Sequence, residues 1–318
     1  MKPAISVITC THNPRRHYLD RVLNALKDQT LSTEHWELLI IDNASDRSLN
    51  AEIDLSWHPK ARCLREEQLG LTPARLRGIR EAEAEILIFV DDDNVLNSDY
   101  LEIALQISKN FPFVGAWGGQ TQGEFEVPPP DWAQPYLILL AIREFDHNKW
   151  SNLYSYETTP CGAGLCVRKL VAEKYAELVF HHPKRLELDR KGQRLTSGGD
   201  SDLAFTAHDL NLGTGLFPAL KLTHLIPAQR LQESYFLKLI EGVHYSNAVL
   251  DFLRGDPNWS AMSSNSSLRG KLRQFYHLFK RYSREHRFYE ASQRGKLLAV
   301  QEITEFLDNL SSTPPLSH

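Results

Sequence analysis

The sequence predicts an α/β fold with a central, mostly parallel sheet and a helical C-terminal extension. Apolar runs of strand length alternate with amphipathic helical segments over the first 120 residues. One run, residues 86–90, is apolar throughout, which is typical of a strand buried on both faces. Beyond Arg230 the strand-like runs give way to helical segments. These three observations together define the predicted fold class.

Strand and helix signals follow one another along the N-terminal part of the chain. Residues 4–9 predict the first strand, and Asn13 and Pro14 predict the N-cap and first position of a helix. Thr72 and Pro73 predict a second helix start of the same kind. The other predicted elements are a helix over residues 97–109 and strands over residues 37–41, 61–68, 113–117 and 165–167.

Three consecutive acids, Asp91, Asp92 and Asp93, follow the apolar run over residues 86–90. Open α/β sheets bind ligands beyond the carboxyl ends of their strands, so a site is expected here. Adjacent carboxylates repel one another unless a cation or hydrogen-bond donors compensate, and carboxylate oxygens are preferred ligands of Mg²⁺ and Mn²⁺. The segment predicts a divalent metal that helps to bind a nucleoside diphosphate. A solvated acidic turn is the alternative.

A second acidic cluster contains Asp200 and Asp202, which follow two glycines and precede an apolar helical stretch. This pattern predicts carboxylates at a helix N-terminus. One of them could remove a proton from an incoming hydroxyl group, and simple helix capping is the alternative. His224 lies at the end of a short apolar segment and is a candidate nitrogen ligand for the same metal, against the alternative of a structural histidine.

The composition limits the classes of function. The chain has 318 residues, of which 42% are hydrophobic, enough for one large domain with an appendage. No apolar run approaches the length of a transmembrane helix, and the N-terminal run is too short for a signal peptide, which predicts a cytoplasmic protein. A net charge of −4 argues against nucleic acid as a partner. The four cysteines have no paired spacing, so neither a zinc site nor a disulfide framework is expected.

Six segments, taken together and in order, resemble the inverting family 2 glycosyltransferases, which have the GT-A nucleotide-sugar fold. The segments are SVITCTHN at 6–13, IDNASD at 41–46, the stretch 70–78, FVDDD at 89–93, GAG at 162–164 and GGDSDL at 198–203. The resemblance implies a glycosyltransferase domain over residues 1–230. The remainder, residues 231–318, is expected to be a helical extension that ends in a disordered tail.

The resemblance also implies roles for individual residues. The residues that it assigns to the nucleotide are Thr9, Thr11, Asn13, Asp42, Arg75, Asp91 and Asp92, with Asp42 at the base edge. Asp93 falls at the direct metal ligand of the DxD motif, Asp91 and His224 are further candidate ligands, and the cofactor would be Mn²⁺ or Mg²⁺. Asp200 falls at the base, with Asp202 as the alternative. The chain departs from the family where it has Leu76 instead of asparagine and Gly199 instead of glutamate.

The implied activity is metal-dependent, inverting transfer of a sugar from a nucleoside diphosphate sugar, commonly UDP-linked in the family, to a hydroxyl acceptor. The acceptor would be a glycan, a lipid-linked molecule or another hydroxyl compound in polysaccharide or glycoconjugate biosynthesis. Two alternatives are a catalytically silent nucleotide-sugar-binding module and a nucleotidyl or phosphoryl transferase. The latter is disfavoured because residues 9–13 contain no glycine and so form no phosphate loop.

A basic and aromatic segment over residues 269–296 indicates two possible contacts for the C-terminal extension. It could make peripheral contact with the inner face of a membrane, or its aromatic side chains could pack on the protein. Packing is favoured because acidic residues elsewhere in the chain could pair with it. The donor sugar, the acceptor and the oligomeric state have no signal in the sequence.

Overall fold

The computed structural model describes residues 2–190, 194–256, 259 and 283–312. The chain divides into two compact units. The first comprises Met1–Asp189 and Gly199–Ala228, and the second comprises Arg190–Gly198 and Gln229–His318. Residues 269–282 of the basic segment and residues 313–318 of the predicted disordered tail lie outside the described residues. The domain boundary at residue 230 stays a prediction.

One nine-stranded sheet, counted over the described residues, forms the centre of the first unit. Its strands are β1 (Ile5–Thr11), β2 (Trp36–Asn43), β3 (Ala61–Glu66), β4 (Ile86–Phe89), β5 (Asn94–Leu96), β6 (Val114–Phe125), β7 (Lys149–Ser151), β8 (Leu165–Arg168) and β9 (Gly213–Ile226). The order is β3-β2-β1-β4-β8-β6-β9-β5, and β7 pairs with β9. Strands β3, β2, β1 and β4 are parallel, as are β6 and β9. The predicted mostly parallel α/β sheet is therefore confirmed.

Helices cover both faces of this sheet, which explains why β4 is apolar throughout. The helices of the first unit are α1 (Arg16–Lys27), α2 (Leu71–Glu81), α3 (Tyr100–Asn110), α4 (Lys169–His181) and α5 (Gly199–Asp209). Ile86 and Ile88 of β4 pack in a core that includes residues of α1 and α3. Leu87 and Phe89 point to the other face, into a core that includes residues of α2, α4 and α5. The prediction of a strand buried on both faces is correct.

Two predicted helix starts are wrong, and both differences involve a backbone with positive φ. Helix α1 begins at Arg16, because Asn13 has a left-handed backbone (φ 48°) and its side chain bonds to another loop. Helix α2 begins at Leu71 after Gly70, whose φ of 140° favours glycine. Thr72 is therefore inside the helix, where its hydroxyl group donates to Asp189 instead of capping.

The second unit contains the helices α6 (Glu233–Leu253) and α7 (Arg284–Ser312). Arg284 and Arg287 on α7 donate to Glu233 on α6, at 2.9 and 2.7 Å. Phe288 is buried. The described part of the basic segment therefore packs within its own unit. Among the described helices, none has both the length and the apolar composition needed to cross a membrane.

Candidate active site

Two asparagine side chains join the loops that follow β1, β2 and β3. Asn13 donates from Nδ2 to the carboxylate of Asp46 (3.1 Å) and accepts from the Asp46 N–H (2.9 Å). Asn43, the last residue of β2, donates to the carbonyl of Gln68 (2.7 Å) and accepts from the Gly70 N–H (2.8 Å). These bonds gather the three strand ends at one edge of the sheet, where open α/β sheets bind ligands. Sequence analysis did not select Asn43, although it follows Asp42 in the IDNASD segment.

The two threonines predicted to contact the nucleotide are both buried in strand β1. Thr9 is completely buried, and its hydroxyl oxygen has no hydrogen-bond partner among the described residues. Thr11 lies two residues farther along β1, and its hydroxyl group donates to Asp92. Thr11 therefore links the end of β1 to the acids that follow β4. Contact of either threonine with a nucleotide stays a prediction.

Asp42 is 1% exposed and lies beneath the loop that follows β2. It accepts hydrogen bonds from the N–H groups of Ser45 (3.1 Å) and Leu49 (3.2 Å) and from Arg65 (3.0 Å). Burial raises the pKa of Asp42, but the bonds from Ser45, Leu49 and Arg65 outweigh burial and hold it below its ordinary value. Asp42 therefore stabilises the loop as an ionised group, and its contact with a base edge stays a prediction.

The acids at residues 91–93 form the turn between β4 and β5. The N–H of Asn94 donates to the carbonyl of Asp91 (3.0 Å), which closes the turn. Strand β5 then pairs antiparallel with β9, and this register sets Asn94 opposite His224. The sheet thus brings together two candidate ligands, Asp93 and His224, that are far apart in the sequence.

A carboxylate oxygen of Asp93 and a ring nitrogen of His224 lie next to each other. Nε2 of His224 lies 3.4 Å from Oδ2 of Asp93, and each residue is 7% exposed. Nδ1 of His224 lies 3.0 Å from the carbonyl oxygen of Leu140, which can only accept. When the imidazole ring is neutral, this contact requires its proton to be on Nδ1. The lone pair of Nε2 then faces Asp93. Asp93 supplies a carboxylate oxygen of the kind that Mn²⁺ and Mg²⁺ prefer, and His224 adds a nitrogen that a transition metal such as Mn²⁺ can accept.

No group of three or more histidine, cysteine, aspartate or glutamate side chains arranged for a metal occurs in the described part of the chain. A metal held by two protein groups is still consistent with sugar-nucleotide chemistry, because Mg²⁺ commonly takes one or two carboxylates together with substrate phosphates.

Asp200 lies in the first turn of α5 and is half-buried. Its Oδ2 accepts from the N–H of Gly162 (2.7 Å), and its Oδ1 accepts from the N–H of Ser201 (2.8 Å). A Cβ on Gly162 would lie 3.3 Å from Asp200 Oδ2 and 3.0 Å from Nη2 of Arg75. Glycine at residue 162 therefore lets the backbone approach both side chains closely.

Asp202 has different surroundings, although it is only two residues farther along the same helix. It is completely buried, and both of its carboxylate oxygens accept from Nη1 of Arg185. Arg185 is itself 3% exposed and lies in the short 3₁₀ helix Pro183–Glu187. This buried ion pair argues against Asp202 as the base and leaves Asp200 as the better candidate.

Arg75 was predicted near the nucleotide, and the structure gives it an acidic partner that sequence analysis missed. It is 3% exposed, and its Nη1 donates to both oxygens of Asp189 (3.1 and 3.3 Å). Burial lowers the pKa of Arg75, and the charge of Asp189 opposes this effect. Asp200 and Asp91 add to the charge of Asp189, and the resulting pKa lies above its ordinary value. Arg75 therefore contacts Asp189, and its Nη2 lies beside Gly162, whose N–H donates to Asp200.

The partly buried thiol of Cys161 also lies near both clusters. Burial raises its pKa most, Arg143 lowers it, and the charges of Asp200 and Asp91 raise it further. Asp91 after β4 and Asp200 in the first turn of α5 thus lie near the same thiol. The structure brings Asp91 and Asp200 to one region of the first unit.

Comparisons with known proteins agree with this architecture. Residues 6–171, just over half of the chain, match the family described as "Glycosyl transferase family 2". The chain is 32% identical to human polypeptide N-acetylgalactosaminyltransferase 16 over 105 residues, which is 33% of this chain and 19% of that protein. It is 31% identical over 124 residues to a Bacillus subtilis glycosyltransferase named for teichuronic acid biosynthesis, TuaG, covering 36% of this chain and 47% of that one.

Another relative, from Macaca fascicularis, is named "inactive polypeptide N-acetylgalactosaminyltransferase-like protein 5"; it is 26% identical over 169 residues, 49% of this chain and 36% of that protein. The chain thus spans less than half of each of these three relatives. A crystal structure of S. aureus TarS 1–349 aligns with 96% of this chain and 92% of its own, at a TM-score of 0.48 and 13% identity. With the family match over more than half of its length and a mostly parallel sheet covered by helices, the chain belongs to glycosyl transferase family 2 and has a GT-A type fold.

Proposed function

We propose that this protein transfers a sugar from a nucleoside diphosphate sugar, UDP-linked, to a hydroxyl acceptor, with inversion at the anomeric carbon. One observation carries the proposal: strand pairing sets Phe89, two residues before Asp91, opposite Leu165, and the N–H of nearby Gly162 donates to Asp200, so the two acidic clusters lie close together. A direct displacement needs donor-binding groups and a base held at one place, and this proximity supports that arrangement.

Asp200 is the proposed base. The hydrogen bonds from the N–H groups of Gly162 and Ser201 fix its orientation, and each carboxylate oxygen keeps a lone pair that can accept a proton. The acceptor hydroxyl group gives its proton to Asp200 while its oxygen bonds to the anomeric carbon. The bond between that carbon and the diphosphate oxygen breaks, and the nucleoside diphosphate leaves with the electron pair. A single displacement of this kind inverts the anomeric configuration.

Asp93 and His224 would hold Mn²⁺ or Mg²⁺, with Asp91 as a further candidate ligand. When bound, such a cation neutralises negative charge that grows on the departing diphosphate. The carbonyl of Leu140 supports this role because it orients the imidazole ring, as groups behind metal-binding histidines commonly do.

The names of the relatives support two acceptor classes. TuaG is named for the synthesis of a polysaccharide, and the human relative is named for transfer to polypeptide. For this chain we propose an acceptor in polysaccharide or glycoconjugate biosynthesis. The name of the macaque relative supports a second candidate, a nucleotide-sugar-binding module without turnover.

Release of nucleoside diphosphate from a panel of nucleotide sugars, with Mn²⁺ present, tests the proposal. Wild type should hydrolyse at least one donor slowly even without its acceptor. Asp200→Asn should lower this turnover about 10²-fold or more, because a general base typically contributes that much. Glu177→Gln, at an exposed position on α4, is the matched control and should keep wild-type turnover.

Two results would count against the proposal. Near-normal turnover of folded Asp200→Asn would remove Asp200 as the base. Binding of nucleoside diphosphate with no turnover of any nucleotide sugar would favour the silent binding module.

A further inference from the structure

The carboxylate of Asp189 contacts α2 on one side and the first residue of α5 on the other. It is 4% exposed and accepts from two residues of α2, the hydroxyl group of Thr72 (2.8 Å) and Nη1 of Arg75. On its other side it lies against Gly199, the first residue of α5. Asp189 is therefore fixed by contacts with two helices, although it belongs to neither.

Gly199 has no room for a side chain while this carboxylate is present. A Cβ on Gly199 would collide with all three atoms of the Asp189 carboxyl group, the farthest at 2.6 Å. The φ of Gly199 is not positive, so its backbone would accept other residues and the obstacle is the carboxyl group itself. The Asp189 carboxyl group thus occupies the space into which a side chain on residue 199 would extend.

This space lies next to the proposed base. Gly199 precedes Asp200 in the chain, and Arg75 reaches from Asp189 to the position beside Gly162 that Oδ2 of Asp200 also borders. A guanidinium has a fixed planar shape, so fixing Nη1 on Asp189 also fixes where Nη2 lies. The position of Asp189 thereby sets the position of a cation beside Asp200.

We propose that Asp189 is a positioning residue for the reaction: it holds Arg75 beside the base Asp200, and it supplies from outside α5 a carboxylate that residue 199 could supply instead. This accounts for the glycine immediately before Asp200. The inference rests on the proposed function, because Asp200 matters only if the protein transfers sugars. It also makes a specific claim about substitution, that the carboxylate can be moved from one residue to the other.

The test moves the carboxylate from residue 189 to residue 199 and measures nucleotide-sugar hydrolysis and melting temperature. Asp189→Ala should lower kcat about tenfold or more with a smaller change in KM, because the cation beside the base loses its fixed position. Gly199→Asp should also lower kcat and the melting temperature, because its side chain meets the Asp189 carboxylate. The double variant Asp189→Ala/Gly199→Asp should recover most of both losses.

A matched control separates charge from space filling. Asp189→Ala/Gly199→Asn fills the same volume without a charge and should not recover kcat. The proposal is overturned if the aspartate and asparagine double variants behave alike, or if Asp189→Ala keeps wild-type kcat well below its melting temperature. If wild type itself shows no turnover, the proposed function fails instead, and recovery of the melting temperature still shows whether the carboxylate can be moved.

Discussion

The acids after β4 and the acids around the start of α5 meet in one region, but different forces hold them. Residues 91–93 are positioned by a turn and by strand register, and their side-chain contacts include a hydroxyl group on Thr11 and the imidazole of His224. Around α5, Asp189 and Asp202 are held by buried guanidinium groups. Breaking a buried ion pair leaves an uncompensated charge, which destabilises the folded protein. The turn at residues 91–93 is held by main-chain hydrogen bonds, and substitution of its side chains leaves those bonds in place. Substitutions in the first set should therefore affect ligand binding and leave folding intact, whereas substitution of Asp202 in the second set should lower stability.

Substitution of Asp202 should have the largest effect on stability, because its ion pair with Arg185 is almost completely buried. Asp202→Asn leaves Arg185 buried without its carboxylate and should lower the free energy of unfolding by about 3–5 kcal/mol. The double variant Asp202→Leu/Arg185→Met removes both charges and should be more stable than the sum of the single effects implies. Unfolding in denaturant, followed by circular dichroism, measures each value.

An exposed ion pair provides the control for Asp202. Glu177→Gln removes the partner of Lys174 on α4 and should change the free energy of unfolding by no more than about 1 kcal/mol. If Asp202→Asn were as stable as wild type but inactive, the division between the two acidic sets would be wrong, and Asp202 would become the better candidate for the base.

This division also explains how much of the site the sequence could predict. The strands and the acids after them were recognisable because apolar runs and strand ends are local patterns. His224 could be proposed as a ligand because it ends an apolar segment, but its meeting with Asp93 depends on the pairing of β5 with β9, which no local pattern encodes.

Asp189 could not be selected from the sequence for a related reason. It follows an irregular segment, and its role comes from contacts with Arg75 and Gly199, which are distant in the chain or belong to another element. The one available signal was Gly199 itself, a small residue beside a candidate base. Likewise, nothing local distinguishes Asp200 from Asp202, because only the position of Arg185 decides which of them is in an ion pair.

A second prediction concerns the first set, where ligand binding should be lost and folding kept. Mn²⁺ with a nucleoside diphosphate should raise the melting temperature of wild type, since a ligand at 100 times its Kd stabilises a protein by about 2.7 kcal/mol. Asp93→Asn and His224→Gln should each lose most of this Mn²⁺-dependent increase while their melting temperatures without ligand stay close to that of wild type. A thermal-shift titration with and without Mn²⁺ measures both quantities.

Asp20→Asn, at a partly exposed position on α1, is the control for that titration and should keep the full increase. If Asp93→Asn kept the Mn²⁺-dependent increase, Asp93 would not be a ligand. If instead it unfolded as readily as we expect of Asp202→Asn, the acids after β4 would be part of the scaffold too, and the contrast between the two sets would disappear.

Substitution of Asp42 should have the smallest effect on stability. Asp42 lies at the same edge of the sheet as the first set of acids, but a cation, Arg65, binds it, as cations bind Asp189 and Asp202 in the second set. Its pKa is held below the ordinary value, so the folded protein binds a proton there less readily than the unfolded chain does. The resulting stability is present above the unfolded pKa of about 3.9 and is lost as pH falls through the folded pKa. Asp42→Asn should therefore cost about 1–2 kcal/mol at pH 7, and its melting temperature should approach that of wild type as pH falls below about 4. A difference that stays constant from pH 7 to pH 3 would mean that shape, and not charge, makes Asp42 stabilise its loop.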